Sequence, residues 1–593
     1  MLTALSGRPR NRLVFGLLLL LALATSLRPL LAFQDDQPEP PDTSWRFGVV
    51  ESYESPSHAA RLGVGWTRVP FHWAKVQPEG SGDWEPEISQ EQLESEIAAG
   101  RMAIGLLIGI PEWALAEDGL PEGLWLDHND PANTWAGYVR RAASTYAGLI
   151  DHWVVWNEPD IQETEIAHTW DGTVADFAQL QRVAYLAAKE ANPAAVIHLP
   201  AFTYWADYYA ETEQYMARLL DEIMRDPEAA DYNHYFDVAT AHLYFQPGQI
   251  YELLGFFSDI MRERGLTQPI WLAETNAPLK DDPDWPVEDW TLSVTQVEQA
   301  SFMPQALALG LAAGAERIAV YKLKDTEGDK AANPEPFGLV RLDGSERMAF
   351  ATFRLAVDYL DGSVRAERER WDEIGQIRVD QIRNDGKGQS TTVVFSRLPE
   401  WLQAEVPATA ELATLVNMWG TKKVITPTNG LYTIDLAPAS CSHSIGDYCM
   451  IGGYTSYLVQ EAEIELPIAT PTPAASLVLT QTPAPVETPS RADLPSPTET
   501  SPPAESPATL PTPGPEPSPS STRPATASAT ATVETLVEAA STSTPAVQSS
   551  VPSSATPPAE EEPAGATFLL LIAASGAITL VLAVAWLTQR HRS

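Results

Sequence analysis

DHWVVWNEPD, residues 151–160, is a short β-type run that stops on a carboxylate. Trp153, Val154, Val155 and Trp156 favour a strand, and Asn157-Glu158-Pro159 ends it abruptly. Glu158 therefore stands at the C-terminal end of a strand. In parallel α/β architectures that end is where ligands bind, which makes Glu158 a candidate for chemistry rather than packing. A second stretch, PIWLAETNAP at 269–278, is again an apolar run ending in a carboxylate, Glu274. Two glutamates at strand ends predict one two-carboxylate site.

Working outward, the same texture recurs. Apolar β-type runs occur at 46–52, 65–72, 102–110, 152–156, 196–202, 236–244, 270–273 and 317–321. Helix-like segments at 90–99, 134–149, 175–191, 211–225, 249–264 and 294–313 separate most of them, and 348–360 closes the series. Asp130-Pro131 and Asn133-Thr134 read as helix starts, and Gly100, Gly148 and Gly314 sit where helices stop. This alternation predicts a (β/α)8 barrel over residues 40–362. The competing arrangement, an open doubly wound sheet, lacks a G-x-G-x-x-G after the first strand.

Beyond the barrel, β-type runs at 375–383, 391–396, 413–419 and 431–436 alternate with turn signals such as Asn384-Asp385-Gly386 and Asn429-Gly430. They predict a small antiparallel, sandwich-like β-domain over 363–462. It contains the chain's two cysteines, Cys441 and Cys449, too few for a cysteine-based metal cluster. Outside the cytoplasm, a local disulfide is the expectation for such a pair.

The ends of the chain argue for that location. Arg8, Arg10 and Arg12 precede the apolar run VFGLLLLLALA at 14–24, the layout of a secretory signal over 1–32; the alternative is an uncleaved anchor. Residues 463–563 are rich in Pro, Ser and Thr and are expected to form a disordered stalk. An uncharged run at 566–587, about 33 Å long as a helix, is expected to span a membrane. Arg590 and Arg592 would keep the tail, 588–593, cytoplasmic. The expected arrangement is a single-pass protein whose folded part is extracytoplasmic. With 38 Lys and Arg against 79 Asp and Glu, a net −41, the chain is unsuited to binding nucleic acid.

W-N-E-P on the fourth strand, with Glu274 ending the seventh, resembles the retaining glycoside hydrolases of the large (β/α)8 clan, clan A. The cellulase-like family 5 and the β-xylosidase-like family 39 are the nearest types, and these motifs do not choose between them. The resemblance spans the barrel and extends to Arg68 on the second strand and His242 with Tyr244 on the sixth. It implies that Glu158 is the acid/base and Glu274 the nucleophile, acting on a β-linked oligo- or polysaccharide with no metal or other cofactor. Retention needs two carboxyls about 5 to 5.5 Å apart, given different pKa values by their surroundings. Arg68, if aimed inward, would keep Glu274 ionised; Tyr244 would donate to it, and Asn157 would meet the sugar 2-OH. Asn157 and Glu158 are adjacent, so both reach a sugar only if the strand end bulges or turns.

Simpler readings stand beside these. Arg68 fits a structural ion pair and His242 a core histidine. Of the tryptophans after strands (Trp113, Trp125, Trp170, Trp205, Trp285 and Trp290), Trp170 and Trp205 are the candidates to stack on a sugar. A surface carbohydrate-binding protein without activity is the rival function. Lys322 on the eighth strand admits a Schiff-base lyase, though beside Lys324 and Asp325 it is more simply a solvated or ion-paired group.

Overall fold

The computed structural model describes residues 45–161, 168–287, 292–333, 335–383, 386–462 and 464. The expected signal segment, the membrane run at 566–587, the tail, Trp290 and all of the stalk but residue 464 lie outside these. Among the described residues, no helix is long and apolar enough to cross a membrane.

Eight parallel strands close a barrel in sequence order: β1 (Phe47–Val49), β2 (Trp66–His72), β3 (Met102–Ile108), β4 (His152–Val155), β5 (Val196–Phe202), β6 (Val238–His242), β7 (Ile270–Thr275) and β8 (Arg317–Val320). One main helix follows each: α1 (Pro56–Leu62), α2 (Gln90–Ala98), α3 (Thr134–Thr145), α4 (Val174–Ala191), α5 (Tyr215–Arg225), α6 (Pro247–Glu263), α7 (Gln296–Ala312) and α8 (Met348–Leu360). The strands are nearly continuous apolar runs because both of their faces are covered. Helix starts are chemically marked. Asn133 caps α3 by accepting from the Ala136 N–H, and Ser89, Thr173 and Thr295 form capping boxes with the residue three positions on.

The lumen is plugged at its lower end by aromatics. Trp66 on β2 and Trp271 on β7 belong to strands that are not neighbours, yet their rings lie 5.3 Å apart, so the contact crosses the barrel interior. His152 on β4 stacks on Trp271 at 5.3 Å, and His198 on β5 meets it edge-on at 4.7 Å. Glycine makes room where such rings press on a neighbouring strand. A Cβ on Gly48 or Gly105 would fall 2.4 Å from the Trp66 ring or 2.3 Å from the Trp153 ring. Because alternate residues of a strand share a face, the inward set that begins at Trp66 continues to Arg68, Pro70 and His72. The alternation thus delivers a cation and an imidazole to the upper end of the lumen.

After the barrel come antiparallel sheets. The larger has six strands in the order β14 (Lys422–Ile425), β13 (Ala413–Asn417), β18 (Ser456–Glu461), β11 (Gly388–Ser396), β10 (Ile374–Ile382) and β9 (Ser363–Trp371). A second pairs β12 (Leu402–Pro407) with β15 (Leu431–Leu436), and a shared apolar cluster including Val394, Ala404, Tyr432 and Leu458 packs between the two. A small hairpin, β16 (Ser444–Ile445) with β17 (Tyr448–Cys449), carries the Cys441–Cys449 disulfide. Helix α7 is buried on almost every side because it lies between the barrel and β9, β10 and β11.

Candidate active site

Strand β4 stops at Val155, and the chain then turns sharply. Trp156 and Glu158 adopt left-handed φ values of 71° and 48°, with Asn157 between them. The Ile161 N–H donates to the Glu158 carbonyl at 3.3 Å, a tight turn with Pro159 at its second position. Left-handed backbone at two non-glycine residues needs support from its surroundings. Here the Trp156 indole N–H donates to Thr169 O at 3.1 Å, and the Thr169 hydroxyl donates to Asn157 O at 2.7 Å. The turn lets neighbouring side chains serve one site. Asn157 lines a cleft with Arg68, Glu274 and Tyr321, while Glu158 meets His242.

Glu274 reaches the same place through an irregularity. The register of β7 slips against both neighbours, between Ala241 and His242 on β6 and between Leu272 and Thr275 on β7 itself. Such slips re-aim a side chain. The Glu274 carboxylate then accepts from Arg68 on one oxygen and from the Tyr244 hydroxyl on the other.

His242 links the two carboxyls. Arg68 Nη1 lies 3.0 Å from His242 Nε2, and a guanidinium can only donate, so Nε2 accepts and the ring proton sits on Nδ1. That N–H donates to Glu158 Oε1 at 2.6 Å and lies 3.6 Å from Glu274 Oε2. An oxygen of Glu158, a nitrogen of His242 and an oxygen of Glu274 all lie within 4.8 Å of one another. A metal is poorly matched to this trio. Both His242 nitrogens and both Glu274 oxygens are engaged, and the Arg68 cation stands where positive charge would have to enter.

The two glutamates are buried alike, 1 % and 2 % exposed, but diverge electrostatically. Burial pushes the Glu158 carboxyl above the usual range; the His242 hydrogen bond opposes this, and the Glu274 charge adds to it. Burial alone would raise Glu274 too, but Arg68, His242 and the Tyr244 hydroxyl outweigh it and hold the carboxyl below the usual range. Burial beside Glu274 also raises Tyr244 well above its ordinary value, so it stays a donor.

The structure brings Glu158, Glu274, Asn157, Arg68, His242 and Tyr244 together. It does not bring in the two tryptophans. Trp170 is 3 % exposed, wedged edge-on against Trp156 and Phe177, and Trp205 is 9 % exposed, stacked on Tyr209 and edge-on to Tyr204. Neither lines the cleft, and each is packing rather than a sugar platform. Lys322 is buried and ion-paired, not solvated. Its ammonium contacts Glu51 and lies 3.0 Å from Asp329. Burial would lower it, but Glu51, Tyr321 and Asp329 more than reverse this and raise it well above the ordinary lysine value. A lysine held charged is a poor Schiff-base nucleophile.

Sequence reasoning passed over His72 and Glu51. His72 hydrogen-bonds Glu87 through Nδ1 and lines both the cleft at Asn157 and Glu274 and an adjoining apolar hollow walled by Ile108, Ile110, Leu115 and Trp156. The signal was available, since His72 is two alternations beyond Arg68 on one strand.

No protein-family model and no curated protein matches the chain. Solved structures do. A family 39 glycoside hydrolase from the gut symbiont Bacteroides cellulosilyticus WH2 superposes with a TM-score of 0.51 at 14 % identity, covering 72 % of this chain and 83 % of that one. A glucosidase from Croceicoccus marinus gives 0.47 at 12 % identity, with coverage of 71 % and 96 %. A monomeric β-xylosidase from Caulobacter crescentus CB15 gives 0.46 at 13 % identity, with coverage of 71 % and 97 %. At such identity the first likeness carries architecture alone: the chain shares its (β/α)8 fold with that family 39 glycoside hydrolase.

Proposed function

We propose that the protein is a retaining glycoside hydrolase that cleaves a β-linked glycan by double displacement. The observation that carries the reading is the pair Glu158 and Glu274, close enough for an attacking and a protonating group on one bond and pushed in opposite directions electrostatically. Retaining pairs hold their carboxyls about 5 to 5.5 Å apart and inverting pairs about 6.5 to 9.5 Å; one oxygen of Glu158 lies within 4.8 Å of one oxygen of Glu274, which is in keeping with the shorter spacing.

In the first step a Glu274 oxygen bonds to the anomeric carbon as the bond to the leaving oxygen breaks. Glu158 gives that oxygen its proton, so the leaving group departs as an alcohol. Because Oε1 accepts from His242, the proton belongs on Oε2, which has no partner among the described residues. In the second step Glu158, now ionised, takes a proton from water. The water oxygen bonds to the anomeric carbon, and Glu274 leaves as the carboxylate that Arg68 and Tyr244 stabilise. The apolar run at 566–587, followed by Arg590 and Arg592, supports tethering at a cell surface.

The test is hydrolysis of a panel of aryl β-glycosides, β-glucans and xylans by the purified full-length protein and two variants. Turnover by the wild type, none by Glu274→Ala, and azide rescue of Glu158→Ala as a β-glycosyl azide are expected. Glycan binding without turnover across the panel would replace this reading with the inactive carbohydrate-binding one.

A further inference from the structure

Asp160 is a buried carboxyl that the double displacement does not use. It is 4 % exposed, two residues beyond Glu158 in the same turn. Its Oδ2 accepts from Thr203 N at 2.7 Å, Thr203 Oγ1 at 3.0 Å and Tyr204 N at 3.2 Å, all just past the end of β5. Its Oδ1 has no partner among the described residues.

The arrangement continues a ladder by other means. Strands β4 and β5 pair from His152↔Val196 to Val154↔His198, and one further bridge joins Asn157 to Ala201. Past that point backbone pairing fails, because Pro159 has no N–H and the chain is turning. The Asp160 carboxylate takes over as acceptor for the N–H groups of Thr203 and Tyr204 in the partner segment. It does so between two strained residues, Glu158 with φ 48° and Tyr204 with φ 77°. A non-glycine residue is kept in that conformation only by contacts that over-determine it.

We propose that Asp160 is a positioning residue for the acid/base: its carboxylate bolts the turn carrying Glu158 to the end of β5 and so sets where the acid's proton is delivered. The inference rests on Glu158 being the acid/base. It separates Asp160 from Thr169, which clamps the same turn on its other side by holding the backbone of Asn157. The two carboxyls also feel each other. Burial first, then the neighbouring Asp207 and Glu158, push Asp160 up to about 7 against the hydrogen bonds from Thr203.

The test uses the full-length protein and the β-glycoside that the wild type hydrolyses, made with leaving groups from 2,4-dinitrophenol, which departs unaided, to a simple alkyl alcohol, which needs protonation. In Asp160→Ala, kcat/KM for the alkyl glycoside should fall about 10²-fold, the scale of a misplaced catalytic group. The dinitrophenyl glycoside should change by no more than about threefold, because it draws little on general acid catalysis. Asp160→Asn, which keeps an acceptor facing Thr203 and Tyr204, should retain most alkyl-glycoside activity. Thr203→Val, which removes one of the three donors, should show a smaller loss with the same leaving-group bias; should Asp160→Ala give no cooperative thermal transition, this variant decides. A loss equal across leaving groups, or an Asn variant as damaged as Ala, overturns the proposal while leaving the glycosidase reading intact. A wild type that hydrolyses nothing overturns both.

Discussion

Replacing Arg68 by Met removes the charge that separates two equally buried carboxyls, and its consequence can be worked out. The Arg68 and Glu274 side chains are 8 % and 2 % exposed. Two unit charges about 4 Å apart at an effective dielectric of about 20 attract by roughly 4 kcal/mol, each 1.4 kcal/mol being about tenfold in an equilibrium. Tyr244 and His242 stay and take up part of the load, so we expect the Glu274 carboxyl to rise, by less than the whole of that attraction. Arg68 also lowers Glu158, so both limbs of the pH–rate profile should move up, the acid limb further. A dinitrophenyl glycoside isolates the effect, since it needs no acid and its acid limb reports Glu274 alone. At a pH on that limb, kcat/KM should fall about 10²-fold. Arg68→Lys should recover only part of it. One guanidinium reaches both His242 and Glu274, and a single ammonium does not replace the fork. An acid limb that stays in place in a folded Arg68→Met protein would refute the reasoning.

Three other outcomes follow from buried titratable groups elsewhere in the barrel. Borohydride added during turnover should trap no adduct on Lys322, and a mass shift on its peptide would revive the Schiff-base reading; Lys322→Met should lower stability by about 3 kcal/mol, read by denaturant unfolding, because Glu51 and Asp329 lose their shared cation. In the lower plug, burial and then Arg317 lower His152 to about 4, while burial and then His152 lower His198 well below the ordinary value. Both folded values lie below the unfolded one, so the unfolded chain binds protons that the folded chain refuses, and stability is lost as pH falls from about 6.5 towards 4, by roughly 3 kcal/mol for His152. His152→Gln should therefore show a flatter fall in Tm across that window than the wild type, and parallel curves would count against this.

How far the fold was legible depended on how local each constraint was. Residues 196–202 and 348–360 were read to the residue because period and composition suffice for a buried strand and an amphipathic helix. Ser363–Trp371, SVRAERERW, was missed as a strand. Its alternating charges suggest nothing buried, and it becomes an edge because Asp380 on β10 and Glu252 on α6 receive Arg365 and Arg368. The tryptophans failed for a related reason: an aromatic after a strand is as ready to pack under a loop as to face a cleft, and only the tertiary surroundings decide.

The site divides along the same line. That Glu158 and Glu274 stand at strand ends is a local fact, open to anyone reading a run of apolar residues that stops on a carboxylate. Which of them holds a proton is not local. Both are almost fully buried, so burial pushes both up and cannot distinguish them. The difference comes from partners: Glu274 takes the charge of Arg68, 206 positions before it, and the Tyr244 hydroxyl, whereas among the described residues Glu158 has the His242 N–H, 84 positions after it, as its side-chain donor, too little to outweigh burial. One histidine, obliged to accept from Arg68, has a single proton to give and gives it to Glu158, while the guanidinium's charge goes to Glu274. The asymmetry that double displacement requires is thus a property of β2 and β6. Rearranging Arg68 and His242, with both glutamates untouched, should be enough to abolish it.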